Sequence, residues 1–243
     1  MPYTPLKRIL FAVLLTSVGK PGEVFAGVIV TVSGQANPYL AGMPNGSTAQ
    51  YGDRAPQQSP AAVSGLVLVQ GLPVYFSATG SVSYNGSVFN GPDGGFVFSR
   101  GAENGFAGYT LTANSLLGVF LGASQPNLSV APAALDFTTP ESREFLTLSP
   151  SLKQPFFIGD GKTSNGMNQQ FIVPIGATRL FLGTADGGEW LNNAGSFSVQ
   201  AWTATAPEPS GAIAVTLILV GYVIYQCASC PKTSGSDTPV SSM

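Results

Sequence analysis

The chain has 243 residues, of which 44% are hydrophobic and only 9% are charged, and its formal net charge is −2. It has no histidine, which excludes Ser-His-Asp and Cys-His catalysis and disfavours a zinc site, while the lack of a basic field excludes nucleic acid as a partner. A soluble domain carries about 25% charged residues, so this composition, with 30 Gly and 19 Pro, predicts an exported β-protein rich in turns.

The N-terminal segment 1–26 has the three parts of a signal peptide. Lys7 and Arg8 supply the positive charge, and the apolar stretch 9–18 follows. Val24 and Ala26 stand at the −3 and −1 positions of the expected cleavage site. The alternative is a first buried strand or helix of the folded domain.

The body of the chain, residues 27–203, has the pattern of short strands separated by turns. The predicted strands are 65–70, 73–83, 110–112, 116–121, 156–158, 170–173, 179–182 and 196–201. No long stretch has the period of an amphipathic helix. The fold class predicted is therefore all-β, a two-sheet antiparallel sandwich of the jelly-roll-like type.

Two segments of the body are less regular. Residues 126–151 are expected to form a long loop with one helical turn around 140–143, and the polar stretch 37–62 is expected to loop over one end of the sandwich. Asp160, between two glycines, is either an oxygen ligand or a turn residue.

The loop between the last two predicted strands carries oxygen-bearing side chains. Asp186, Asn192 and Asn193 lie there among glycines, which let backbone carbonyls turn inward. Calcium prefers carboxylate, amide and backbone oxygens, and no soft ligand is present. The loop therefore predicts a calcium site, the alternative being a hairpin with ordinary Asx turns.

The C-terminal end is typical of a membrane segment. A Pro-Glu-Pro linker at 204–210 precedes the uncharged stretch 211–230, which as a helix would rise about 30 Å and span a hydrocarbon core. A short polar tail, 231–243, follows. The alternative is a core helix. Cys227 and Cys230 are either acylated or reduced thiols.

The triplet Pro207, Glu208 and Pro209 before this apolar stretch resembles the PEP-CTERM sorting signal of exported bacterial proteins. The resemblance implies processing by an exosortase-type membrane protease. The usual terminal Arg cluster is missing, and Lys232 stands alone, so an uncleaved membrane anchor is the alternative. Either way the protein is expected in the bacterial cell envelope, membrane-anchored or released.

The segment 177–199 resembles the calcium and sugar loop of the PA-IL family, small galactose-binding jelly-roll lectins of bacteria. In that family an Asp precedes an Asn-Asn pair and a Gly-Ser-Phe strand start, and the chain matches this order. Residues 77–84 resemble the strand that ends in a calcium-binding Tyr, and 90–94 the adjoining sugar loop. The similarity covers about residues 65–201, with an insertion around 123–165.

The resemblance implies a galactose-binding-like fold and a set of calcium ligands. These are the backbone carbonyl of Tyr84, the carboxylate of Asp186, the amide oxygens of Asn192 and Asn193, and one carbonyl from Glu189 or Trp190.

The resemblance also implies that the bound calcium holds two sugar hydroxyls, so that Asp186 and Asn192 contact the sugar as well. The family's sugar-contacting His and Gln have no counterpart, and Asp93 is a substitute. Trp190 either stacks on a sugar ring or packs in the core.

The function expected is therefore a calcium-dependent, lectin-like glycan or exopolysaccharide binder. The alternative is a structural envelope protein in which calcium only stabilises the fold or is absent. An enzyme is not expected, because the chain has only 12 acidic residues, and a glycosidase needs two of them paired across a cleft.

Overall fold

The computed structural model of the chain describes residues 27–203. The predicted signal peptide 1–26, the Pro-Glu-Pro motif, the apolar stretch 211–230 and the polar tail lie outside the described residues. Within residues 27–203, no helix is long and apolar enough to cross a membrane.

The described chain is a β-sandwich with twelve strands in three sheets. The strands are β1 Gly27–Ser33, β2 Ala61–Ala62, β3 Pro73–Ser83, β4 Val97–Arg100, β5 Tyr109–Thr112, β6 Leu116–Leu121, β7 Leu135–Asp136, β8 Thr147–Leu148, β9 Phe156–Phe157, β10 Gln170–Ile172, β11 Arg179–Thr184 and β12 Ala194–Thr203. The helical pieces are α1 Pro140–Arg143 and four 3-10 turns, Pro38–Leu40, Gln50–Gly52, Pro126–Leu128 and Trp190–Asn192. The sheet orders are β1-β12-β3-β10-β8, β2-β11-β6-β9 and β4-β5-β7.

The five-stranded sheet is built around the long antiparallel pair β3 and β12. On β12, Phe197, Val199 and Ala201 are buried while the residues between them are exposed. This period of two places one face on the core and the other in water. The pairing runs without a break from Ala194 opposite Ser83 to Thr203 opposite Val74.

The four-stranded sheet supplies the opposite wall of the core, and all six residues of its central strand β6 are buried. Four phenylalanines from four strands link the two sheets through ring contacts of 5.1–5.4 Å: Phe76, Phe120, Phe156 and Phe171. Burying each such ring contributes about 1.5–3 kcal/mol. A Cβ at Gly118 would lie 2.6 Å from the Phe156 ring, so only glycine fits there.

Most predicted strands are confirmed, and the prediction for 73–83 matches β3 at both ends. The predicted strand 65–70 is wrong, because this apolar run forms no ladder and instead packs Leu66 and Leu68 against the core. The predicted helical turn is confirmed as α1. Sequence patterns missed β1, β2, β4, β7 and β8, which are short or lack alternation, so only β5 of the third sheet was predicted.

The polar segment 37–62 is a loop, as predicted, but parts of it are buried. Leu40, Ala49 and Ala55 form a small apolar cluster of their own, and Asn37 and Asp53 are fully buried. The loop begins beside the end of β11, where the Thr184 N–H donates to Ala36 O. It therefore packs next to the chain that joins β11 to β12.

Candidate functional site

The connection between β11 and β12 is a tight glycine-containing loop that ends in the 3-10 turn Trp190–Asn192. Its start is fixed because Ala185 exchanges backbone hydrogen bonds with Asn114 and Ser115, at 2.8 and 2.9 Å. Glu189 has left-handed backbone angles, which reverses the chain just before the turn. Asp186 and Asn193 are thereby placed at the two ends of the loop.

Asp186 is 6% exposed, and its carboxylate is only partly satisfied. Oδ1 accepts the Gly188 N–H at 3.2 Å, whereas Oδ2 is buried and has no hydrogen-bond partner. Burial raises the pKa of Asp186, and the neighbouring Asn193 amide and the Gly188 N–H oppose the shift. A buried acceptor of this kind lacks the compensation that native structures normally provide.

The Asn193 side chain, also 6% exposed, donates to one backbone carbonyl. Its Nδ2 donates to Gly34 O at 3.0 Å, and its Oδ1 is buried without a partner. The amide lies close enough to the Asp186 carboxyl to lower its pKa. The loop therefore brings together two buried side chains, Asp186 and Asn193, each of which has one oxygen without a hydrogen-bond partner.

Tyr84 follows the last residue of β3, and Asn193 precedes the first residue of β12. The β3–β12 ladder ends with Ser83 opposite Ala194, so Tyr84 and Asn193 lie just beyond the last pair. Two stretches about 100 residues apart in sequence thus meet at the rim of the sandwich.

The other expected loop ligands face different partners. Asn192 is exposed, and its Nδ2 donates to Glu189 Oε2 at 3.1 Å. The Glu189 and Trp190 carbonyls accept the Asn192 and Asn193 N–H groups at 3.0 and 3.1 Å, within the 3-10 turn. Each carbonyl retains a second lone pair, but neither lacks a partner.

Trp190 is a core residue and has no exposed face for a sugar ring. Its indole N–H donates to Thr184 O at 2.9 Å, and the Arg100 guanidinium lies 5.0 Å from the ring. Of the two expectations for this side chain, stacking on a sugar ring and packing in the core, the structure agrees with packing in the core.

Asp93 lies in a separate cleft of about 450 Å³ that also includes Glu144, Asp160 and Lys162. Its Oδ1 accepts the Asp160 N–H at 3.1 Å. Partial burial raises the pKa of Asp93; the hydrogen bond from the Asp160 N–H opposes this shift, and the negative charge of Asp160 adds to it. Asp160 Oδ1 accepts the Lys162 N–H at 2.8 Å, an Asx turn. The contacts of Asp93 are thus with this cleft.

Sequence reasoning missed Asp53, which holds the loop from a distance. This fully buried carboxylate accepts the Trp190 N–H at 3.1 Å, the Leu191 N–H at 3.0 Å and the Asn37 amide at 2.9 Å. It therefore caps the 3-10 turn from 137 residues away in sequence. No local pattern predicts such a pairing; an acidic residue in a segment that packs on the core is the only signal.

Arg100, which the sequence did not single out either, fixes the glycine part of the loop. Its Nη1 donates to Gly187 O, and its Nη2 pairs with Glu103 at 2.7 Å. The guanidinium also lies 5.0 Å from the rings of Tyr39 and Trp190, a cation–π arrangement. The nearest positive charge to Asp186 is thus committed to other partners.

The arrangement fits a hard cation held mainly by neutral oxygens. Within residues 27–203, no three Cys, Asp or Glu side chains form a metal-binding cluster, so an ion would rely on one carboxylate, one amide and backbone carbonyls. Such all-oxygen sets favour calcium over transition metals. Comparisons with known protein families, curated proteins and solved structures find no match. The assignment therefore rests on the geometry of the loop.

Proposed function

We propose that this protein is a calcium-dependent carbohydrate-binding protein of the bacterial cell envelope, without catalytic activity. One observation carries the proposal: Asp186 and Asn193 are neighbouring buried side chains, and each has one oxygen without a hydrogen-bond partner. Leaving such groups unpaired costs about 1–3 kcal/mol each. A bound cation would remove this cost.

The protein supplies only some of the oxygen ligands that a calcium ion takes, and this leaves coordination positions for other ligands. Asp186, Asn193 and the Tyr84 carbonyl account for three oxygens, whereas calcium takes about six to eight. The remaining positions would be filled by water or by hydroxyls. Two adjacent hydroxyls of a sugar ring can displace two waters together, which makes a carbohydrate the natural exchangeable ligand. The exposed Asn192 and Glu189 lie in the same loop and offer further hydrogen-bonding groups.

The resemblance to the PA-IL family supports the same conclusion. Within the β-sandwich we propose the finer jelly-roll, galactose-binding-like arrangement. The order of Tyr84, Asp186 and the Asn192-Asn193 pair along the chain agrees with that family's calcium ligands. Asp93 is not retained in the proposed sugar site, because its carboxylate faces Asp160.

We further propose that the protein is exported and sorted to the envelope. Residues 1–26 support export, and residues 207–209 with the apolar stretch 211–230 support a membrane anchor processed by an exosortase-type protease. Comparing the mass of the protein in cells with and without the protease tests this. An unchanged mass would favour the retained anchor.

A second function is favoured by the burial of the site. Both proposed ligand side chains are more than nine-tenths buried, and Trp190 offers no exposed face. This is the arrangement of an ion that holds a loop in place. The protein would then be a structural component of the envelope or exopolysaccharide matrix, with calcium as a stabilising ion.

Calorimetry on the purified full-length protein, in a mild detergent, separates these functions. We expect calcium binding at one site, and a glycan-array signal that a chelator abolishes. A calcium-dependent rise in melting temperature without any glycan signal would favour the structural function. No calcium response by either method would overturn both.

A further inference from the structure

Two exposed aromatic rings flank the glycine segment of the loop. The first is Tyr51, which is 63% exposed. A Cβ built on Gly188 would lie 2.5 Å from Tyr51 Cδ2, so the ring rests directly on this glycine. Tyr51 has left-handed backbone angles (φ 64°, ψ 16°), which are uncommon for a bulky residue. The fold thus maintains a costly local conformation at a residue whose ring faces solvent.

The second ring is Phe96, which is 58% exposed. It packs against Tyr84 at a centroid distance of 5.7 Å and against Phe98 at 6.4 Å. Phe98 Cδ2 in turn lies 3.9 Å from the position of a Cβ on Gly187. Phe96 therefore packs directly on Tyr84 at the end of β3 and reaches the residue after Asp186 through Phe98.

We infer that Tyr51 and Phe96 are the apolar walls of the carbohydrate site and contact the C–H face of a sugar ring whose adjacent hydroxyls bind the calcium. This inference rests on the proposed function and deepens it. A sugar ring has a polar edge of hydroxyls and an apolar face. The Tyr51 ring rests on Gly188, two residues from Asp186. Phe96 packs on Tyr84, the proposed carbonyl ligand. Aromatic rings with one apolar face toward solvent are the usual partners of such ligands.

The charges of the loop limit the class of sugar. Within 184–193 the charged residues are Asp186 and Glu189, both acidic. The Arg100 guanidinium is buried and bound to Glu103 and the Gly187 carbonyl. A bound calcium ion offsets the charge of these two acids, so the loop has no net positive charge to attract a uronic acid or a sulfated sugar. We therefore expect neutral sugars with adjacent hydroxyls to be the ligands.

The test uses two truncations and a matched aromatic control in the full-length protein. Tyr51→Ala and Phe96→Ala remove the two rings, and Tyr75→Ala removes a ring that stacks on Trp202 at 5.8 Å, at the far end of β3. Nine residues of strand separate Tyr75 from Tyr84, about 30 Å at 3.3 Å per residue. Calcium affinity, glycan-array signal with neutral and acidic glycans, and molecular mass in solution are measured for each protein.

We expect each site variant to lose about tenfold in affinity for neutral glycans, with calcium affinity unchanged and Tyr75→Ala equal to wild type. If the wild type gives a chelator-sensitive signal that both site variants retain in full, the aromatic walls are wrong and the proposed function stands. If the wild type binds calcium but no glycan, the proposed function and the walls fail together. A change of molecular mass with no change in glycan binding would assign the two rings to contact between copies of the chain and overturn the inference.

Discussion

Asp53 and Asp186 are two buried carboxylates that serve the same loop but differ in how they are satisfied. Asp53 accepts three N–H donors, from Asn37, Trp190 and Leu191. Asp186 accepts one, from Gly188, and its Oδ2 has none. The two acids are thus similarly buried, but only Asp53 has hydrogen-bond donors for both of its carboxylate oxygens.

The difference in hydrogen bonding distinguishes an acid that stabilises the fold, Asp53, from an acid that is proposed to bind an ion, Asp186. A buried carboxylate with all its donors in place contributes to the fold itself, and removing it orphans those donors. A buried carboxylate with an unpaired oxygen weakens the fold until something binds it. Asp53 therefore positions the turn, and Asp186 is the group that a cation would neutralise.

The largest effect is expected for Asp53→Ala. It leaves three N–H donors without an acceptor, two of them at the start of the 3-10 turn, and should lower the free energy of unfolding by about 3–5 kcal/mol. Denaturant unfolding with a chelator present measures this. Asp136→Ala is the control: this exposed carboxylate accepts only the local Thr138 N–H and hydroxyl, so its removal should lower the unfolding midpoint far less. Equal losses in both variants would remove the distinction between the two acids.

Asp186→Asn, unlike Asp53→Ala, should remove the stabilisation by calcium without lowering the stability of the calcium-free protein. The wild type is expected to gain about 2.7 kcal/mol at a calcium concentration about a hundredfold above the dissociation constant, which raises the melting temperature by roughly 5–10 °C. The variant should lose this gain, because the only full charge assigned to the ion is gone.

Without calcium, Asp186→Asn should be no less stable than the wild type, because it relieves the burial of a charge. Differential scanning calorimetry with calcium and with chelator gives both comparisons. A variant that still responds to calcium in full would place the ion elsewhere.

The two acids also show how much of the site the sequence could predict. Asp186 and Asn193 could be predicted because they flank one short loop between two strands with clear alternation, and strand register then sets their spacing. That the chain around Tyr84 meets the chain around Asn193 required the order of the strands, which the family resemblance implied. The role of Asp53 could not be predicted, because its partner Trp190 lies 137 residues away in sequence and a hydrogen bond over that separation leaves no periodic signal.

Trp190 and the stretch 65–70 show the same limit for apolar residues. The run of Val and Leu at 65–70 was predicted as a strand from local character, and Trp190, an aromatic side chain in a polar loop, was left between stacking on a sugar and packing in the core. The structure buries the indole against Arg100 and Tyr39 and uses the run as irregular chain covering the core. Tertiary packing decides such positions, and local preference is only a weak guide to it.

A smaller effect is expected when the stability of the wild type and of Asp186→Asn is compared as a function of pH. Burial raises the folded-state pKa of Asp186 above its ordinary value of 3.8, so the folded state binds the proton more tightly than the unfolded state. The contribution of this group to stability is present at low pH and is lost as pH rises through the raised pKa. In chelator, the wild type should therefore lose stability relative to Asp186→Asn as pH rises from about 3.8 through the raised pKa.

The same titration with calcium should show the reverse trend. The proton and the ion compete for one carboxylate, so calcium affinity should increase across the window in which Asp186 ionises. Unfolding midpoints and calorimetric affinities at several pH values provide both curves. Parallel wild-type and variant curves in chelator would mean that Asp186 is not the titrating group.

The smallest effect is expected for Asp93→Asn, which tests the second acidic region. Asp93 is exposed, its Oδ1 already accepts the Asp160 N–H, and it lines a different cleft from the β11–β12 loop. An amide in its place keeps an oxygen acceptor for that N–H and removes the repulsion with Asp160. Calcium affinity and glycan binding should therefore stay within about twofold of wild type, and stability should change by no more than about 0.5 kcal/mol. Glycan binding weakened about tenfold, with calcium affinity intact, would return Asp93 to the sugar site and extend that site to the Asp160 cleft.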